Sequence, residues 1–222
     1  MTSLTFELIR SRRKTVSIIV HHTGQVVVRA PLRLSEKVIR EFVEGKRAWI
    51  TAKQAELARQ QPSARQFAPG EMFLYLGQSY PLTVTSAQRP ALRLTEAFEL
   101  SRAALPRARQ TFERWYRAQA AKVISQRAAL FAAQFGLRYQ SIRISAARTR
   151  WGSCSSKGAL SFTWRLVMAP LEIIDYVVVH ELAHLVHHNH SPAFWAQVET
   201  MLLDYRARRA WLKKYGHTLT LD

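Results

Sequence analysis

Tyr176-Val-Val-Val-His180-Glu181-Leu-Ala-His184-Leu-Val-His187-His188-Asn189-His190 decides the reading of this chain. His180 and His184 are four residues apart, so on a helix they share one face and can both reach one metal ion. Glu181 sits one residue on, about 100° further around the helix. That is beside the ion rather than on it, where a general base for a zinc-activated water stands. A tetrahedral ion that keeps one position for water needs three protein ligands. His190, six residues after His184 and past a helix end predicted at Asn189, is the third.

Working outward, residues 171–186 are apolar on nearly all sides, the pattern of a buried central helix. Two imidazoles and a carboxylate in such a place need a metal or hydrogen bonds to compensate their burial. Pro170 opens the helix where a missing N–H does no harm. Ser191-Pro192 repeats a start signal, cap then first turn, for a helix with Phe194, Trp195, Val198, Met201 and Leu202 on its apolar stripe. A last helix is expected near 205–215. Glu199, on the helix after His190, competes with it for the third ligand position. His187 and His188 read as helix-end histidines suited to the dipole there. Asp175 reads either as an acceptor that orients a ligand histidine or as a helix-start charge. Cys154, one thiol without a partner at metal spacing, reads as a small loop residue. Trp151, Trp164 and Trp195 are assigned to packing.

Upstream, Ser141–Ser145 and Ala159–Trp164 read as strands around the loop 152–158. Between Leu137 and Arg165 stand six basic residues (Arg138, Arg143, Arg148, Arg150, Lys157, Arg165) and no acidic one. Arg150 and Ser153 are the substrate-binding candidates of this stretch. Residues 106–135 form a long helical pattern with Phe112, Trp115, Tyr116, Ala120, Val123, Ile124, Ala128 and Phe131 at spacings of three and four, stopped by Gly136. Residues 72–100 hold four short strand patterns separated by turns such as Gly77-Gln-Ser and Gln88-Arg-Pro90, predicting a small antiparallel sheet. Gln60–Gln66 is polar and carries Pro62, a linker signal. Before it, strand patterns over 4–10, 15–20 and 26–30 precede a helix capped by Ser35, running to about Ala58 and interrupted near Gly45. Arg12-Arg13-Lys14 falls in the first hairpin. The expected divisions are residues 1–60, an N-terminal hairpin and helix; 66–102, a small β region; and 103–222, a catalytic region with the metal helix.

The composition bounds the function. At 222 residues and 48% hydrophobic content the chain can bury a real core. A single cysteine excludes an internal disulfide and fits a reducing compartment. The opening residues show no secretory pattern, and Asp175 and Glu181 interrupt the longest apolar stretch, so neither secretion nor a membrane span is expected. The expected location is the cytoplasm. Net charge is +18, with 13 basic against 5 acidic residues in 1–65 and 15 against 7 in 111–222. Such an excess suits polyanionic partners, nucleic acid among them.

His180-Glu181-x-x-His184 with Asn189-His190-Ser191 and Phe194-Trp195, preceded by Arg150-Trp-Gly-Ser-Cys-Ser155, resembles the YgjP-like family of metal-dependent hydrolases. The resemblance spans nearly the whole chain, including Lys14-Thr-Val-Ser-Ile18 and Val28-Arg-Ala-Pro31, and its most specific part runs from Arg150 to Trp195. The family is similar to the SprT-like and Wss-type zinc proteases. The resemblance implies an α+β, zincin-like metallopeptidase domain, with one Zn2+ on His180, His184 and His190 and Glu181 as catalytic base. Likeness to metzincins is weaker: His187 occupies the position where they carry glycine, and no methionine turn is evident. The family carries both a metallopeptidase and a UTP pyrophosphatase description. A peptide or protein substrate is therefore the first expectation. A nucleotide gripped by Arg143, Arg148 or Arg150 is the second, and a DNA-associated, SprT-like protease the third.

Overall fold

In the computed structural model residues 4–21, 24–60, 65–86 and 89–222 are described, and the chain divides into two compact units, Met1–Ser63 and Ala64–Asp222. The expected linker residues 61–64, together with His22 and Gln88 of two expected turns, lie outside the described residues.

In the first unit, β1 (Glu7–Ser11), β2 (Ser17–Val20) and β3 (Val26–Pro31) form a sheet ordered β1-β3-β2. β2 and β3 make the antiparallel hairpin, but β1 lies parallel to β3. Arg12–Lys14 therefore sits in the connection between the two edge strands and not in a hairpin turn. Alternating apolar residues identify strands, whereas the partner depends on which edge of β3 is left to pair. β3 is the buried centre: Val26, Val28 and Ala30 meet Ile39, Val43 and Ile50 of two helices, α1 (Glu36–Glu44) and α2 (Arg47–Gln60). Ser35 caps α1 by accepting from the Val38 N–H at 3.4 Å, and Gly45 closes it.

The second unit opens with β4 (Met72–Tyr75), β5 (Gln78–Thr85), β6 (Leu92–Leu94) and β7 (Phe98–Ser101), ordered β4-β5-β7-β6. Two pairings are antiparallel, but β5 and β7 run parallel, so the sheet is mixed where turn spacing predicts an antiparallel one. The β4–β5 turn, Leu76-Gly77, has positive φ at both residues, the type I′ geometry that matches strand twist. It docks through Leu76 N–H on Val167 O and Gly77 N–H on Met168 O, just ahead of the central helix.

A short 3-10 turn (Arg102–Arg107) leads into α3 (Ala108–Gln134). Phe112, Tyr116, Ala120, Ile124 and Ala128 recur every four residues on its buried face. Phe67, Phe73 and Phe98 from the sheet side meet that face, with Phe73 and Phe112 stacked at 4.3 Å. Burying each such ring contributes roughly 1.5–3 kcal/mol relative to leaving it exposed.

A second sheet follows: β8 (Ser141–Ser145), β9 (Gly152–Cys154) and β10 (Ala159–Thr163), ordered β8-β10-β9. The first half of the expected loop is thus an edge strand, β9, antiparallel to β10. A 3-10 turn (Trp164–Met168) leads to α4 (Leu171–Ala183), buried over almost its whole length, then α5 (Pro192–Met201) and α6 (Tyr205–Tyr215). The fold class is α+β. Among the described residues no helix is long and apolar enough to cross a membrane.

Candidate metal centre

α4 ends earlier than the sequence predicts. Its last helical residue is Ala183, and His184 is the C-cap. His184 keeps helical backbone angles (φ −67°, ψ −15°), so its ring still stands above that of His180, with centroids 5.0 Å apart. The chain then reverses: Leu185 and Val186 N–H return to Leu182 and Ala183, and His187 N–H to Ala183 O. His187 and His188 consequently lie in this reversal and do not prolong the helix. His187 instead offers its carbonyl oxygen 3.0 Å from His184 Nδ1. That contact assigns the Nδ1 proton and leaves Nε2 of His184 as the free donor atom.

The reversal delivers His190, and α5 begins at once. Ser191 Oγ accepts from Phe194 N–H at 3.3 Å and Pro192 takes the first turn. One ligand atom from each of His180, His184 and His190 falls within 4.8 Å of the others. Nε2 of His190 lies 3.0 Å from Nε2 of His180. Two such atoms face each other only if one carries the proton between them or both address a shared cation. Zinc–nitrogen bonds of 2.0–2.1 Å at a tetrahedral ion set ligand nitrogens about 3.3 Å apart, close to this spacing. Burial, reinforced by His184 and His190, lowers the His180 pKa to about 3, so its imidazole is neutral as a ligand must be. His180 Nδ1 is buried with no hydrogen-bond partner among the described residues. These residues fit a bound metal ion.

Glu199, the rival ligand, is outside the cluster and pairs with Arg206 at 3.2 Å. Asp175 takes neither role expected of it. It is buried and held by Arg127 of α3 at 2.5 and 2.7 Å. Arg148 pairs with Asp222 at 2.8 Å at the surface.

Glu181 is 5% exposed and lies against β9. A Cβ on Gly152 would stand 2.5 Å from Glu181 Oε1 and 2.6 Å from its Cγ, so the carboxylate occupies the space that a side chain there would fill. Burial raises the Glu181 pKa to about 8, and Arg150 pulls it back toward the usual range. Cys154, on the same strand face as Gly152, has its thiol pKa raised by burial and then by the charge of Glu181. Faces alternate along a strand, so the Ser153 side chain is on the opposite face and not beside Glu181.

Three residues that sequence reading assigned to packing, or passed over, complete the surroundings. Phe194 lies under all three imidazoles, at 5.0, 4.5 and 4.8 Å from His180, His184 and His190. Trp195 stacks on His190 at 5.7 Å, and Arg209 of α6 lies over Trp195 at 4.6 Å. Phe194-Trp195 stands just after the cap, a signal in the sequence. Nothing in the sequence marks Arg209, nineteen residues beyond His190.

The profile of the YgjP-like metallopeptidase domain matches residues 14–215, and the chain belongs to that family. A crystal structure of the metallopeptidase zymogen of Pyrococcus abyssi abylysin is similar over 41% of this chain and 93% of its own, at 21% identity and a TM-score of 0.37. No curated protein matches. Family membership makes the chain a metal-dependent hydrolase, and His180, His184 and His190 are the group among the described residues able to hold its ion.

Proposed function

We propose that this YgjP-like chain is a zinc-dependent peptidase, with one Zn2+ on His180, His184 and His190 and with Glu181 as general base. Three imidazole nitrogens are a donor set that suits zinc rather than magnesium or calcium, which prefer oxygen ligands. Zinc held there supplies Lewis acidity toward a carbonyl oxygen and toward water.

The observation that carries the peptide reading is the placement of Glu181 against an open strand edge. Trp151 O and Ser155 N–H bond to β10, so by antiparallel alternation the backbone groups of Gly152 and Cys154 face away from the sheet. An extended peptide can add to such an edge, which brings its amide groups alongside Glu181. Glu181 would accept a proton from the attacking water at its carboxylate as the carbon–oxygen bond forms. It would return that proton to the amide nitrogen as the carbon–nitrogen bond breaks. Its buried setting, which favours proton binding, suits both halves of that transfer.

A second reading, hydrolysis of a nucleoside triphosphate, is favoured by the cations at the site. Arg150 acts electrostatically on Glu181, and Arg209 on His180 and His190. Matched panels of unfolded protein and nucleoside triphosphates separate the two. The expected result is peptide cleavage with about one zinc per chain, and a loss of about 10²–10⁴-fold in turnover in Glu181→Gln with zinc retained. Zinc should disappear from a His180→Ala, His184→Ala double variant. Triphosphate hydrolysis without peptide cleavage would overturn the peptidase reading, and full zinc in the double variant would overturn the ligand set.

A further inference from the structure

Away from the metal centre, a cavity of about 370 Å³ opens where the mixed sheet meets the start of α3. Its wall holds Arg89, Arg107 and Arg114, with Ser101, Ala104 and Thr111 between them, and no acidic residue among the described residues lines it. Thr111 and Arg114 stand three apart on α3 and share one of its faces, and Arg107 is the residue that caps the start of that helix. Thr111 Oγ1 donates to Arg107 O at 2.9 Å and fixes the turn that carries Arg107.

Three exposed arginines line this one concavity, so it carries a positive field with no acidic residue in its lining to answer it. The acids nearest in sequence to Arg107 and Arg114 are engaged elsewhere: Glu113 holds Arg117 at 2.7 Å, and Glu99 holds Arg93 at 2.6 Å. Asp222 is taken by Arg109 and Arg148. No ion pair reaches Arg89, Arg107 or Arg114 among the described residues. Beside Arg107 and Arg114 the chain is well packed, with Ser101 and Ala104 buried and α3 anchored by the fully buried Phe112.

We infer that this cavity is an anion site, separate from the hydrolytic centre, for a ligand carrying two or more phosphate groups. Guanidinium forks match phosphate oxygens in pairs, so three of them exceed what a single phosphate uses. The volume lies within the range of small-molecule sites. The phosphates belong either to a small polyphosphate or to a short stretch of nucleic-acid backbone. The inference does not depend on the identity of the metal or on the hydrolysed substrate.

Calorimetric titration of the full chain with inorganic tripolyphosphate tests it. Binding should weaken by at least about tenfold in Arg107→Gln, Arg114→Gln, the loss of two charged hydrogen bonds, and should fall as salt is raised. A charge-matched control, Lys37→Gln, Lys46→Gln, removes two exposed cations from the first unit and should bind as the parent does. His180→Ala, His184→Ala should also bind as the parent, which separates this site from the metal centre. Equal thermal unfolding of the arginine variant and the parent shows that the fold is kept. Competition by a short single-stranded oligonucleotide assigns the phosphates to a nucleic-acid backbone; no competition assigns them to a small polyphosphate. Absence of tripolyphosphate binding, or equal losses in the arginine variant and the lysine control, would overturn the inference.

Discussion

Gly152 gives Glu181 its place by having no side chain. A methyl group there would meet Oε1, Cγ and Cδ of Glu181 at 2.5–2.8 Å, and the carboxylate is enclosed too closely to move aside freely. Gly152→Ala should therefore leave zinc binding intact and reduce kcat/KM by about 10²-fold, the scale of a misplacement of roughly 1 Å in a reacting group. Turnover at the parent level would show that Glu181 does not need this position to act. The cluster of three histidines was legible because a helix face and a capped corner are short-range patterns that spacing reports directly. Gly152 was legible only as the first residue of a loop, since its meeting with Glu181 joins positions twenty-nine residues apart. Arg209 was invisible for the same reason: α6 packs on α4 through tertiary contacts, and Trp195 meets both His190 and Arg209 only in the folded chain.

Between elements, the pair Arg127–Asp175 joins α3 to α4 and holds the metal helix in register. Burial separates it from the many arginine pairs on the surface: the Asp175 side chain keeps 10% of its exposure and that of Arg127 keeps 25%. Asp175→Ala strands a largely buried cation, so it should destabilise the second unit by about 2–4 kcal/mol, just under the full value for a broken buried pair because Arg127 still reaches water. Replacing both partners, Arg127→Met with Asp175→Leu, should recover most of that loss, read as denaturant midpoints. A double variant no more stable than Asp175→Ala would mean that the pair gives more than mutual neutralisation. Helices were read well from sequence here because a four-residue repeat such as Phe112-Tyr116-Ala120-Ile124 is complete within one segment. Strand pairing was not: β1 beside β3 and β5 beside β7 are parallel pairings, settled by which edge remains free after the local hairpins close. The early end of α4 also escaped, because the His184–His187 contact that closes it looks in the sequence like four more helical residues.

At the largest scale, two apolar cores among the described residues share no residue. Val26, Val28, Ala30, Ile39, Val43 and Ile50 close the first unit, while the core of the second runs from Phe67 to Leu221. The three histidines, Glu181, β9 and the arginine-lined cavity all belong to the second unit. A chain that starts at Arg65 should therefore fold cooperatively, take up zinc and keep a kcat/KM near that of the full chain. The first unit is far smaller, and a segment of about 60 residues buries only about 60% of the surface its unfolded chain exposes, which makes it marginal on its own. Thermal unfolding of the full chain should consequently show two transitions, the lower one belonging to residues 1–63 and missing from the truncated chain. Zinc should raise the upper transition and leave the lower one where it is, because a ligand stabilises only the unit that binds it. If one transition covered both units and moved as a whole with zinc, the units would be coupled and the independence of their cores would not extend to their stability.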